Sequence, residues 1–153
     1  MNIYTKLFGE IWVQPEKIIS FPDGIVGFPE MKQFLLIHDK EKTGSSISWL
    51  QSIEEPTFAL PVIDPLKVME NYNPVVEDEL LSKLGDLKPE NMLVLVTITV
   101  PADITRMTVN LKAPIVINAE ENKAGQIIVD DEAYAVRYPI YEILKSKKEG
   151  SEC

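Results

Sequence analysis

The side chains that most often attack, shuttle protons or hold metals are scarce in this chain. It has one histidine, His38, and one cysteine, Cys153. Any nucleophile–histidine arrangement would have to use His38. That residue follows the apolar run Phe34-Leu35-Leu36-Ile37 and precedes a charged stretch, the setting of a strand-end histidine with no catalytic duty. Zinc needs Cys and His clustered at fixed spacing, and two such residues cannot supply a site. The seven glycines are scattered, and Gly24-Ile25-Val26-Gly27 opens no convincing helix, so no phosphate-cradling loop is expected.

Carboxylates are abundant instead, at Glu54-Glu55, Glu77-Asp78-Glu79, Glu120-Glu121 and Asp130-Asp131-Glu132. A glycosidase needs two facing acids in a concave site, and a calcium loop needs oxygen ligands at alternating positions with a glycine at the sharp turn. None of the clusters shows the calcium register. The expectation is solvated loop acids, no catalytic residue, no metal and no cofactor: a binding protein and not an enzyme. A small carboxylate-dependent hydrolase on a β-barrel is the competing expectation from another class.

The balance of charge says more. With 24 acids against 15 Lys and Arg the net charge is −9. Nucleic-acid binding draws its affinity from Lys and Arg meeting phosphates, so direct binding to DNA, RNA or an anionic membrane is disfavoured. A basic partner is favoured, because opposite fields speed encounter. Between Glu54 and Asn91 nine acids face three lysines, and between Glu120 and Glu132 five acids face Lys123 alone. Either these stretches form an acidic face or they are simply polar loops.

The elements that would carry such a surface read mostly as strands. Met92-Leu93-Val94-Leu95-Val96-Thr97-Ile98-Thr99-Val100 is β-branched and ends at Pro101. Its first half is apolar on both faces, as in a central strand. Met107–Leu111 alternates, and Pro101–Arg106 is long enough to loop back to it. Residues 114–118 and 126–129 flank a hairpin loop in which Gly125 is expected to take a positive φ. Earlier strands fall at 17–21, 34–37, 48–53 and 58–63; Pro61 suggests an edge or a bulge in the last. Helix is expected at 77–84, with Gly85 at its C-terminal cap, and as a turn or two at 29–33.

This is the grammar of an all-β, mainly antiparallel fold: a compact β-barrel-like domain with a few short helices. At 153 residues one domain, 1–145, can bury roughly two-thirds of its unfolded surface; residues 146–153 read as a polar, frayed tail. No apolar run approaches the ~20 residues of a membrane span, residues 1–6 lack the order of a signal peptide, and a lone cysteine makes no intramolecular disulfide. The expected compartment is the cytoplasm.

Four stretches also carry a resemblance. Ile18-Ile19-Ser20-Phe21-Pro22-Asp23-Gly24-Ile25-Val26-Gly27-Phe28-Pro29, Trp49 through Pro65, Val109 through Asn118, and Gly125-Gln126-Ile127-Ile128-Val129 with Tyr134 resemble, in this order and over nearly the whole chain, the FliW family of bacterial flagellar assembly factors. The resemblance implies a β-barrel-like fold and two protein partners. One is flagellin before export. The other is CsrA, a small basic translational regulator whose RNA binding such proteins antagonise without covering its RNA-contacting surface. Partner switching follows: flagellin and CsrA compete for one protein. The partner-binding residues expected on this basis lie in and just after the second stretch: Phe58, Asp64, Pro65, Glu70, Asn71 and Tyr72, aromatics mixed with carboxylates. A chaperone-like β module for another secreted protein shares the fold and charge and remains an alternative.

Overall fold

The computed structural model describes residues 2–38, 47–76 and 78–151, with side chains throughout except at 80 and 147–151. Its organising strand is the β-branched run at 92–99. Strands are β1 (Asn2–Thr5), β2 (Gly9–Trp12), β3 (Ile19–Ser20), β4 (Gln33–Ile37), β5 (Ile47–Ser52), β6 (Ala59–Ile63), β7 (Met92–Thr99), β8 (Thr108–Val109), β9 (Ile115–Asn118), β10 (Lys123–Gln126) and β11 (Tyr138–Pro139). Two α-helices, α1 (Asp78–Ser82) and α2 (Tyr141–Ser151), and four short 3₁₀ turns complete the described residues. α2 runs on into the segment expected to be a polar tail.

The order β7-β6-β5-β4-β3-β10-β9 returns to its start because β9 pairs with β7, and the sheet closes as a seven-stranded barrel. The expected all-β fold is what forms. Every ladder in it is antiparallel except β10 on β3, which rests on a single parallel register, Lys123 opposite Ser20. β8 and β11 extend the sheet beyond β7.

Both faces of β7 are used. Leu95 points into the barrel with Phe21, Phe34, Leu50, Val62 and Ile115. Val96 and Ile98 join a second cluster with Val68, Tyr72, Leu111 and Ile140. Val94 packs outward beneath Leu81 and Leu84, beside Val116 and Ile127. The short helix α1 exists because of this last cluster, since a five-residue helix has little stability of its own. It stops at Ser82, two residues short of the expected end. Turn bonds from Leu84 N–H to Leu81 O and from Gly85 N–H to Ser82 O carry the chain on to Gly85, which takes the expected positive φ of +86.

Three local expectations are corrected. Residues 29–33 form no helix: Met31 N–H bonds Phe28 O, and the Glu54 carboxylate takes the amides of Lys32 and Gln33, starting β4 there. The positive φ in the 118–123 hairpin belongs to Asn122 (φ 53), not Gly125, so β10 begins three residues earlier than expected. Asparagine tolerates the left-handed region nearly as glycine does. Pro61 lies in a strand paired on both sides, but β6 meets β7 only at Val62 and Ile63, so the proline stands where the ladder is single.

The first hairpin was not anticipated. β1 and β2 pair over four residues through Gly9 (φ +69), and the pair lies outside the barrel. Lys6 N–H bonds Pro56 O at 3.2 Å, and Phe8 meets Trp49 edge-on at 6.1 Å.

Candidate functional site

Past β6 the chain makes a capped turn. Asp64 accepts the Leu66 N–H at 3.0 Å, and Pro65 occupies the first turn position, where a missing N–H costs nothing. Backbone bonds Val68 to Pro65, Met69 to Pro65 and Tyr72 to Met69 wind the segment up. Pro65, Val68 and Tyr72 are thereby buried, while Leu66, Glu70 and Asn71 stay outside.

Tyr72 anchors this segment. It is 7% exposed, donates its hydroxyl to Leu111 O at 2.7 Å, and meets Tyr134 edge-on at 4.7 Å. Tyr134 in turn accepts the Asn73 N–H at 3.0 Å. Burial first, and Tyr134 second, push the Tyr72 hydroxyl up to about 12. A raised tyrosine pKa means that its stabilising effect is complete below pH 10 and lost as pH climbs through 12. Alkaline titration should therefore remove roughly 2–3 kcal/mol of folding stability over that window, at ~1.4 kcal/mol per unit. Denaturant midpoints from pH 9 to 12 would measure it, and in Tyr72→Phe this part of the slope should vanish.

Beside the turn the surface opens into a groove of about 490 Å³. Asp64, Pro65, Leu66 and Tyr72 form one wall; Val76 and Leu81 form the other; Leu93, Val94 and Val116 lie at its base. Its lip is apolar too, with Leu66, Met92 and the 87%-exposed Val75 facing solvent. Asp64 is the acid among its lining residues. The chain from the turn to β7 also exposes Glu70, Asp78, Glu79, Asp86 and Glu90, interspersed with exposed Lys67, Lys83 and Lys88, the last 3.6 Å from Asp86; Glu77 lies outside the described residues.

The expected contact residues thus divide. Asp64, Pro65 and Tyr72 come together in the groove wall, with Glu70 and Asn71 exposed on the same turn. Phe58 sits at the far end of β6, about 20 Å away at strand rise, packed between Phe28 (4.9 Å) and Phe34 (6.3 Å). Sequence reading missed the hydrophobic lip, although Val75, Val76 and Leu81 around the acids of 77–79 carried the signal.

Elsewhere most of the notable polar side chains are engaged, while among the described residues Trp49 Nε1 and Gln51 Oε1 are buried without a hydrogen-bond partner. His38 pairs with Ser48 Oγ, its cross-strand neighbour one step beyond Ile37 opposite Trp49. Glu121 is an exposed loop acid as expected, but it also does structural work: it accepts the Asp86 N–H and Asn118 Nδ2, each at 3.0 Å, and a Cβ on Gly85 would collide with it. Glu120 takes Asn91 Nδ2 at 3.1 Å. This hairpin is bolted to the segment that follows α1. Among the described residues no cluster of three metal-binding side chains occurs, and no helix is long and apolar enough to cross a membrane.

Fold and groove define the class: a small closed β-barrel whose wall carries a largely apolar groove with Asp64 among its lining residues. The model of the FliW protein family matches residues 2–140, and the chain belongs to that family. It is 50% identical to the flagellar assembly factor FliW of Lachnoclostridium phytofermentans over the full length of both chains. It is 53% identical to the protein of that name from Lachnospira eligens, covering 97% of this chain and 99% of the relative. A crystal structure of the flagellar assembly factor FliW superposes with a TM-score of 0.84 at 29% identity, covering 92% of this chain and 97% of that one.

Proposed function

We propose that this protein serves bacterial flagellum assembly in the cytoplasm by holding other proteins, and that it catalyses nothing. Its partners on this reading are flagellin and a CsrA-type translational regulator, which exchange on it; captured CsrA loses its RNA without direct overlap. The observation that carries the reading is the groove between the 64–72 turn and α1. It offers apolar surface to bury and carboxylates to steer a basic partner. Asp64, Glu70 and Asn71 would make rim contacts, while Pro65 and Tyr72 hold the rim in shape and Phe58 supports the loop at 22–29. Binding, and not hydrolysis, is also favoured by the duties of the carboxylates. Glu54, Asp64, Asp103, Glu121 and Asp131 each accept backbone amides, which is structural work.

The test is co-purification with a CsrA-type dimer and with flagellin at low and moderate salt. Raising ionic strength to the physiological range should slow CsrA association while changing dissociation less. By itself the protein should give no RNA gel shift, yet it should release RNA from a CsrA–RNA complex. An RNA shift by the protein alone would overturn the reading of its charge; failure to capture either protein would overturn the assignment of partners.

A further inference from the structure

The most sparsely paired seam of the barrel is β10 on β3. On one side β10 is fully paired with β9, and the ladder continues past the strand: Ile127 N–H bonds Pro114 O, and Val129 N–H bonds Lys112 O. Those bonds fix which way each residue's backbone points. Residues 123, 125, 127 and 129 address β9, and residues 124, 126 and 128 address the other side. There β3 provides only the Ser20 pairing with Lys123, together with Ser20 N–H to Asn122 O at 2.8 Å. Beyond it the neighbour is not a strand but the loop at 22–27. Among the described residues no backbone bond reaches the N–H and C=O groups of Gln126 and Ile128, which face that gap.

The gap is a slot with two walls. Pro22, Val26 and Gly27 form one side and Gln126 and Ile128 the other, around about 850 Å³. A side-chain bond spans it, Val26 N–H to Gln126 Oε1 at 2.9 Å, with Gln126 Nε2 donating to Ala113 O at 3.0 Å. Val26 is 52% exposed and Ile128 62%, so the walls are apolar where they meet solvent. Exposed carboxylates lie at its approaches, Asp23 on the loop and Asp130 and Asp131 just past Val129; Lys83 is the cation among the lining residues.

We infer that this slot takes one extended peptide segment of a partner protein, apolar at alternate positions and basic at its ends, as an added strand on β10. The unspent backbone groups of 126 and 128 supply the ladder, Val26 and Ile128 meet the alternate apolar side chains, and the acids at the mouth set the charge. The incoming strand offers its own carbonyl to Val26 N–H in place of Gln126. The loop wall shields the edge from the sheet of a second barrel, so a single strand fits and a pair of barrels does not. This site lies on β10, apart from the groove lined by Asp64 and Leu81, and stands or falls independently of it.

The test is an NMR titration of the full-length ¹⁵N-labelled protein with the acetylated, amidated peptide Lys-Val-Thr-Val-Thr-Val-Lys. Amides of 124–128 and of Val26 should shift, and hydrogen exchange at Gln126 and Ile128 should slow at least tenfold. N-methylating alternate peptide amides should weaken binding at least tenfold, and so should replacing both terminal lysines by glutamate. Ile128→Pro, checked by an unchanged melting temperature, should abolish the shifts. Absence of shifts at millimolar peptide, shifts confined to the Asp64–Leu81 groove, or equal binding of the N-methylated peptide would each overturn the proposal.

Discussion

Gly24→Ala should cost about 3 kcal/mol or more, read as a fall in urea midpoint at unchanged slope. Two penalties add. Gly24 holds φ +69, a region that costs an L-residue roughly 1–2 kcal/mol. A Cβ there would also lie 2.5 Å from Pro29 Cα and O, which are backbone and cannot swing aside. Accommodating it means moving the turn that Ile25 and Phe28 close by exchanging backbone bonds, and behind it Phe21 and Phe34. Gly27→Ala is the matched control: its φ is +89, but a Cβ there meets nothing within 4 Å. It should show the conformational cost alone, roughly 1–2 kcal/mol. If the two variants lose equal stability, the close approach to Pro29 is not what fixes this turn.

The second large effect concerns partner capture. Asp64→Lys with Glu70→Lys should weaken binding of a CsrA-type dimer by about 1–3 kcal/mol, roughly five- to 150-fold, mostly through slower association. Both residues sit on the turn that walls the groove. Asp64 also caps that turn, and losing the cap costs about 1 kcal/mol of stability. Asp64→Asn separates the two roles, because an amide oxygen still accepts the Leu66 N–H while the charge is gone. The control is Glu30→Lys with Glu142→Lys, exposed acids on other elements that move the net charge equally, from −9 to −5. Glu120 and Glu121 cannot serve as that control, since both hold the hairpin to its neighbour. Equal weakening by the two double reversals would mean that total charge, and not this face, governs capture.

Strands that bury both faces were legible because their composition is unambiguous. Met92–Thr99 could hardly be anything else, and the barrel followed from the number of such runs. Legibility failed where a residue's role is set by something distant in the chain. Glu54 and Glu121 read as loop acids because nothing nearby reveals that amides of Lys32, Gln33 and Asp86 will arrive to meet them. Tyr72 looked like an exposed anchor after Glu70-Asn71, yet the turn begun by Asp64 and Pro65 swings it inward onto Leu111 O. Gly125 drew the turn by its composition, while Asn122 three residues earlier took the left-handed conformation. The groove itself was only half visible: its carboxylates lie in one stretch of sequence, but its base needs Val94 and Val116 from strands joined only by folding.

Closure of the barrel by β9 on β7, and by β10 on β3, also sets an order of events during synthesis. Strands β3 to β7 form a nearest-neighbour meander that can zip as it leaves the ribosome, each pairing with the one just made. β8 can cover the 98–99 end of β7 early, but β3 and the 92–95 part of β7 must wait for residues 115–126. Until that late hairpin emerges, the nascent chain is an open sheet with a half-covered Phe21 and Phe34. Pairings so distant in sequence are slow to form, and open sheet edges are sticky while they last. Truncated nascent chains ending before residue 115 should therefore be the ones that chaperones hold.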